Sequence, residues 1–201
     1  MYNSLISLIS WQGVAGAIFV VAILMYDKGI IWGGTRVTMF TWIVWLTMDF
    51  LVWRGIVSNG GSGMFILLVF LGSLSVPFLA IYHTKADWSI TPLGVFFIAV
   101  STVGVLTYWS GTLTGVWSVT LGSAVLLASS VPLFIALAKD PGKEEITGWA
   151  VFLVGTLLEF SLSIAEQDFG RLIQATAFIL IQGITISAIL HGRKRMSLQK
   201  P

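Results

Sequence analysis

Three ionisable residues, Asp49, Arg54 and Glu159, stand inside long apolar runs. A charge moved from water into hydrocarbon is costly, so such residues mark a binding or ion path, or they pair with one another. Trp42, Trp45 and Asp49 follow one another at steps of three and four, spacings that share one face of a helix. An aromatic wall beside a carboxylate can stack a sugar, a nucleoside or an organic cation. The carboxylate itself can take up a proton or a cation and change state with the substrate. The competing reading is structural: the tryptophans fill a bundle interior, and Arg54 neutralises Glu159 or Asp49 as an ion-pair partner across a helix interface. Catalytic chemistry finds no foothold. The chain has no cysteine and only two histidines, His83 and His191, and these read as helix-end caps; no nucleophile–base pair or metal-ligand spacing can be assembled. We therefore expect neither an enzyme nor a cofactor. A retinal Schiff base would need a lysine in the last apolar run, and residues 171–191 contain none.

The elements that position these residues follow from composition. Of 201 residues, 56% are hydrophobic and 10% charged, with a mean hydropathy of +0.92. Twenty charges cannot clothe a domain of this size in water, whereas a bilayer needs no polar surface. Crossing about 30 Å of hydrocarbon takes about 20 apolar residues per helix. Cutting at the charge and Gly/Asn clusters gives seven spans: Leu5 to Tyr26, Thr38 to Val57, Gly63 to His83, Ser89 to Trp109, Thr114 to Ala138, Ile146 to Ala165 and Arg171 to His191. The turn between the fourth and fifth, Ser110 to Leu113, carries no charge and rests on Gly111 as a breaker. Asp49 then lies about eleven residues into the second span, a climb of roughly 16 Å, near the midplane. The first run lacks a basic leader and a cleavage site and reads as a retained span.

Lysine and arginine collect on the cytoplasmic side of a membrane. Lys28, Arg36, Lys85, Lys139, Lys143, Arg193, Lys194, Arg195 and Lys200 fall on one side of the seven-span layout, and only Arg54 and Arg171 on the other. The expected orientation has the amino terminus outside and the carboxyl terminus in the cytoplasm. The net charge of +2 is therefore topological, with no nucleic-acid partner. Trp11, Trp32, Trp53, Trp88, Trp109 and Trp117 fall near span ends, where an amphipathic ring prefers the headgroup zone. Short loops fit a bacterial cytoplasmic (inner) membrane.

Sliding the chain against itself by 107 residues superposes Trp42 on Trp149, Gly63 on Gly170 and Arg36 on Lys143. Spans one to three and five to seven then form two copies, and because each has an odd number of spans, a linker helix is needed to give both the same orientation. The expected fold is an all-α bundle: a first three-helix repeat (1–84), a linker helix (85–112), a second three-helix repeat (113–192) and a basic tail (193–201), with the repeats parallel. Thr156 becomes the counterpart of Asp49 and shares a face with Glu159 three residues on, so Asp49, Trp42 and Trp45 face Thr156, Glu159 and Trp149 across the repeat boundary.

This 3+1+3 arrangement, the external amino terminus and the loop Ala138-Lys139-Asp140-Pro141-Gly142-Lys143-Glu144-Glu145 ahead of Trp149 resemble the PQ-loop superfamily, which includes the SWEET and semiSWEET sugar transporters. The segment Thr41-Trp42-Ile43-Val44-Trp45-Leu46-Thr47-Met48-Asp49 is similar to that of an uncharacterised group of bacterial seven-span proteins with Thr-Trp-x-x-Trp-x-x-x-Asp. The resemblance implies that Pro132 lets the fifth helix bend, and that a small molecule binds between repeats. Two functions follow. One is a secondary carrier or facilitator for a small polar metabolite, with substrate contacts from Asp49, Trp42, Trp45, Thr156, Glu159 and Trp149. The other is a noncatalytic accessory subunit, a homo-oligomer or part of a larger membrane assembly, whose mark would be a lipid-facing groove of small residues such as Gly72, Ser73, Ser75, Gly122 and Ser123.

Overall fold

Seven apolar runs fold as seven helices because hydrocarbon offers backbone N–H and C=O groups no partner but each other. The computed structural model describes residues 11–198 except 90, 113, 142 and 143, and side chains to residue 195. The expected start of span one (Leu5 to Ser10), Leu113 of the turn, Gly142 and Lys143 of the loop, and Lys200 of the tail lie outside the described residues. The helices are α1 (Trp11–Trp32), α2 (Met39–Ser58), α3 (Met64–Ser73), α4 (Ser75–Tyr82), α5 (Pro92–Trp109), α6 (Val116–Ser129), α7 (Val131–Lys139), α8 (Ile146–Ala165) and α9 (Phe169–Leu198). Taken as spans, α3 with α4 and α6 with α7 each count as one, giving among the described residues seven helices long and apolar enough to cross a membrane.

Two boundaries differ from the sequence reading by more than three residues. Span one continues to Trp32, carrying Asp27 and Lys28 on the helix. Asp27 tolerates that place because the Ser75 hydroxyl donates to its Oδ2 at 2.7 Å. The last helix runs on through residues 193–198, so the described part of the basic tail extends span seven. The uncharged turn forms where expected: Gly111, two residues past the end of α5, takes φ +75°, a conformation open to glycine at little cost.

The two split spans break at the same sequence, Ser75-Val76-Pro77 and Ser130-Val131-Pro132. Proline lacks the N–H that would bond the carbonyl four residues back, and its ring crowds that carbonyl. At the second break the Ser130 hydroxyl donates to the Leu126 carbonyl at 2.8 Å; at the first, Ser75 Oγ lies 2.9 Å from the Gly72 carbonyl oxygen and shares its one proton between that carbonyl and Asp27.

Packing arranges six spans in a ring of order one, three, two, five, seven, six, closing back on one, with span four outside against spans two and five. Two seams join the halves of this ring: α1 against α8, and α2 against α6. At the α1–α8 seam, Gly148 and Gly155 let the backbones touch. A Cβ at Gly148 would stand 3.3 Å from the Ala22 carbonyl oxygen, and one at Gly155 3.0 Å from that of Ala15. Small residues allow such close approach, which dispersion and packing reward where lipid supplies no hydrophobic drive between helices. A two-residue parallel ladder, β1 (Val37–Thr38) on β2 (Ala86–Asp87), ties two loops together at the basic end of the bundle.

Candidate functional site

At the centre of the ring lies a cavity of about 30 Å³, room enough for water. All six ring spans wall it: Phe19 from span one, Trp42, Trp45 and Asp49 from two, Ser73 from three, Leu126 from five, Trp149 and Phe152 from six, and Phe178 and Gln182 from seven. Four of the six substrate residues read from the sequence, Asp49, Trp42, Trp45 and Trp149, therefore meet in one cavity. Helical spacing brings them there. Trp42, Trp45 and Asp49 share a face of α2, and Trp149 and Phe152 share a face of α8. Their rings interlock, with centroids 5.2 Å apart for Trp42 and Trp45 and 6.1 Å apart for Trp45 and Trp149.

Asp49 is 3% exposed, and its Oδ1 has no hydrogen-bond partner. Two more buried atoms on cavity residues share that condition, Trp45 Nε1 and Gln182 Oε1. A larger groove of about 330 Å³ opens at the basic end between spans two, four and five. Its carboxylate, Asp87, already accepts from the Ser89 backbone N–H at 2.9 Å, so the unsatisfied chemistry sits in the smaller, central space.

Thr156 lies just behind the cavity wall. It is fully buried, and its hydroxyl oxygen accepts from Gln182 Nε2 at 2.9 Å. Glu159, one turn further, does not reach the cavity: the Arg171 Nε donates to its Oε1 at 2.6 Å, and both side chains are 1% exposed. Arg171 also pairs through Nη1 with Glu166, whose Oε2 accepts from Gln12 Nε2 at 3.1 Å.

The ion pair expected of Arg54 thus belongs to Arg171. Arg54 is exposed, with its guanidinium 5.8 Å from the Trp53 ring centroid. Five residues separate it from Asp49, about 140° around a helix, so the two side chains leave α2 on different faces. Sequence reasoning treated Arg171 only as a charge near a span end. A usable signal was its place twelve residues after Glu159, across the three-residue turn between α8 and α9, where an arginine can reach back along its neighbour.

Glu144 was also missed. It sits in the loop before α8 and is 4% exposed. Its Oε1 accepts from the Tyr26 hydroxyl at 3.1 Å, and its Oε2 from the Trp149 indole N–H at 3.1 Å. The Arg193 guanidinium donates to its backbone carbonyl at 3.1 Å. Burial pushes the Glu144 carboxyl up from 4.5 to about 7, against the pull of the hydrogen bonds from Trp149 and Tyr26. Trp149 thus touches the cavity with one part of its indole and Glu144 with another. Four clustered charges in a loop read as solvated, which is why the sequence hid this residue.

Seven apolar helices around a buried polar centre define a polytopic integral membrane protein. Comparison with family models, curated proteins and solved structures finds no match to the chain.

Proposed function

We propose that the protein is a noncatalytic secondary carrier or facilitator for a small polar metabolite, binding it at Asp49 between Trp42, Trp45 and Trp149. The observation that carries this reading is the buried Asp49 carboxylate, with an unpartnered oxygen, in a cavity walled by all six ring spans. A carboxylate needed only for packing would be expected to have its lone pairs satisfied. The indole faces stack the substrate, Asp49 accepts from its hydroxyl or amine, and Gln182 and Thr156 line the way behind. At about 30 Å³ the site is in its closed form, and substrate enters when a seam of the ring parts.

Ring order supports the parallel 3+1+3 repeat. Exchanging span one with five, two with six and three with seven maps each ring neighbour onto another neighbour and the α1–α8 seam onto the α2–α6 seam. Span four is the linker, and rocking of the halves about these seams gives alternating access. The bias of lysine and arginine supports a cytoplasmic basic end and an external amino terminus, and the short loops favour the bacterial inner membrane as host.

The accessory-subunit reading draws less support. Of the small residues that would have formed a partner groove, Ser73, Gly122 and Ser123 are buried within the bundle.

Melting shifts of the detergent-solubilised protein against sugars, nucleosides, amino acids and organic cations test the proposal, because a ligand that binds only the folded state stabilises it. We expect one class to shift the parent and to lose its effect in Asp49→Asn. A panel that shifts nothing, with Asp49→Asn merely melting earlier, would overturn it and leave the carboxylate structural.

A further inference from the structure

Buried polar atoms without protein partners are not spread evenly through the bundle. They concentrate in the half away from the basic end, which the orientation proposed above puts outside. Arg171, Gln174, Phe178 and Gln182 follow at steps of three and four along one face of α9, and Glu159, Thr156 and Phe152 do so along α8. These faces pack on each other, and α8 packs on α1, where the Phe178 ring of α9 lies 6.2 Å from that of Phe19. Between the outer surface and the cavity, Gln12 Oε1, Arg171 Nη2, Glu159 Oε2, and both Oε1 and Nε2 of Gln174 are buried and unpartnered. Gln174 is fully buried. The series ends at Gln182 Oε1 and Asp49 Oδ1. At its outer end, Glu166 is 49% exposed in its side chain.

The opposite half is built differently. Tyr26, Trp42, Trp45 and Trp149 form a continuous aromatic floor, in which Trp45 Nε1 is unpartnered; below it both oxygens of Glu144 are engaged, and Asp27 Oδ1 is the unpartnered buried atom on that side among the described residues. Polar atoms in a protein interior hold water when each water finds two to four partners. The outer half provides those partners in series, and the aromatic floor provides almost none.

We propose that a file of water and side chains between spans one, six and seven carries protons from the outer solution to Asp49, making the carrier proton-coupled. The inference rests on the carrier reading for its use, though not for its chemistry. One proton leaves the outer solution at Glu166, passes by way of Glu159 and waters held by Gln174 and Gln182, and binds the Asp49 carboxylate. Each relay group gives up one proton as it accepts one, so only Asp49 changes charge. Among the described residues, few ionisable groups lie on the elements around Asp49. Glu159 and Arg171 come from α8 and α9, Asp27 and Tyr26 sit toward the basic end of α1, α5 carries only Tyr108, α3 and α6 carry no ionisable residue, and Arg54 leaves α2 on another face.

Infrared spectroscopy of the full chain reconstituted in lipid tests this without any substrate. The carboxyl band of protonated Asp49 is identified by its loss in Asp49→Asn, and its deuterium shift is timed after transfer to heavy water. We expect exchange within the mixing time in the parent, slowing of about tenfold or more in Gln174→Leu and in Gln182→Leu, and a parental rate in Glu144→Gln. Melting temperature and elution volume check that each variant is folded. Parental rates in both path variants, equal slowing by Glu144→Gln, or the absence of an Asp49 carboxyl band would overturn the proposal. Path-dependent exchange with no ligand found for the protein would sink the carrier reading and keep the route. Ligand binding with path-independent exchange would do the reverse.

Discussion

Glu144 shows how far a single residue departs from its sequence appearance. Its neighbours in the chain are charged, yet it turns inward because Tyr26 and Trp149 supply donors for both of its oxygens. With a folded-state value of about 7 against 4.5, the folded protein holds this proton more tightly than the unfolded chain does. Stability from this group is therefore fully present below pH 4.5 and is lost as the pH rises to about 7, a change of roughly 3 kcal/mol at 1.36 kcal/mol per unit. Melting curves of the parent and Glu144→Gln between pH 4.5 and 7 should diverge, the parent falling relative to the variant as pH rises. Parallel curves would show that Glu144 does not titrate in this window. Arg171 and Glu159 make a second residue-scale case. Removing one partner of a buried pair leaves the other charge uncompensated and costs about 3–5 kcal/mol, whereas replacing both with apolar groups is often near neutral. Arg171→Met should therefore melt far below the parent, and Arg171→Met with Glu159→Leu should recover most of the loss. A double variant as unstable as the single one would mean that the pair contributes more than mutual neutralisation.

At the scale of elements, most of the architecture was legible, because span length and the punctuation of charge, glycine and proline are set by local rules. Gly111 marked its turn, Pro132 marked a break, and the span-end tryptophans Trp11, Trp32, Trp88, Trp109 and Trp117 are exposed. What local rules could not convey was which helix faces which. The path of Arg171 to Glu159 depends on hairpin geometry, and the burial of Glu144 depends on α1 arriving beside α8. That arrival rests on two glycines. Gly155→Val should destabilise by about 1–3 kcal/mol, the usual range for overpacking, since its Cβ would press on the Ala15 carbonyl. Gly183, in α9, has nothing within 4 Å of an added Cβ, so Gly183→Ala should stabilise by about 0.4–1 kcal/mol through the unfolded chain. Thermal or denaturant unfolding in mixed micelles measures both. If both glycines tolerate substitution alike, the close approach of α1 and α8 is not what holds the seam.

For the whole molecule, the decisive relation is between the two seams. If the halves rock as proposed, the α1–α8 and α2–α6 seams must part in turn, and fixing either one stops the cycle at a single access state. The absence of native cysteine makes this directly testable, because any disulfide formed comes from an introduced pair. Thr41 in α2 and Ser129 at the end of α6 meet across one seam, the Thr41 hydroxyl 3.4 Å from the Ser129 carbonyl oxygen. Ala22 and Gly148 meet across the other. Oxidation of Thr41→Cys with Ser129→Cys should abolish uptake into proteoliposomes of whichever ligand shifts the parent's melting, and reductant should restore it. Oxidised Ala22→Cys with Gly148→Cys should do the same if both seams move, provided the reduced pair transports like the parent, since a Cβ at Gly148 stands 3.3 Å from the Ala22 carbonyl oxygen; only the first pair would matter if the halves hinge about the glycine contact. A pore needs neither seam to part at depth. Undiminished flux through both locked forms would therefore place the pathway outside the six-helix ring or turn the rocking carrier into a fixed channel.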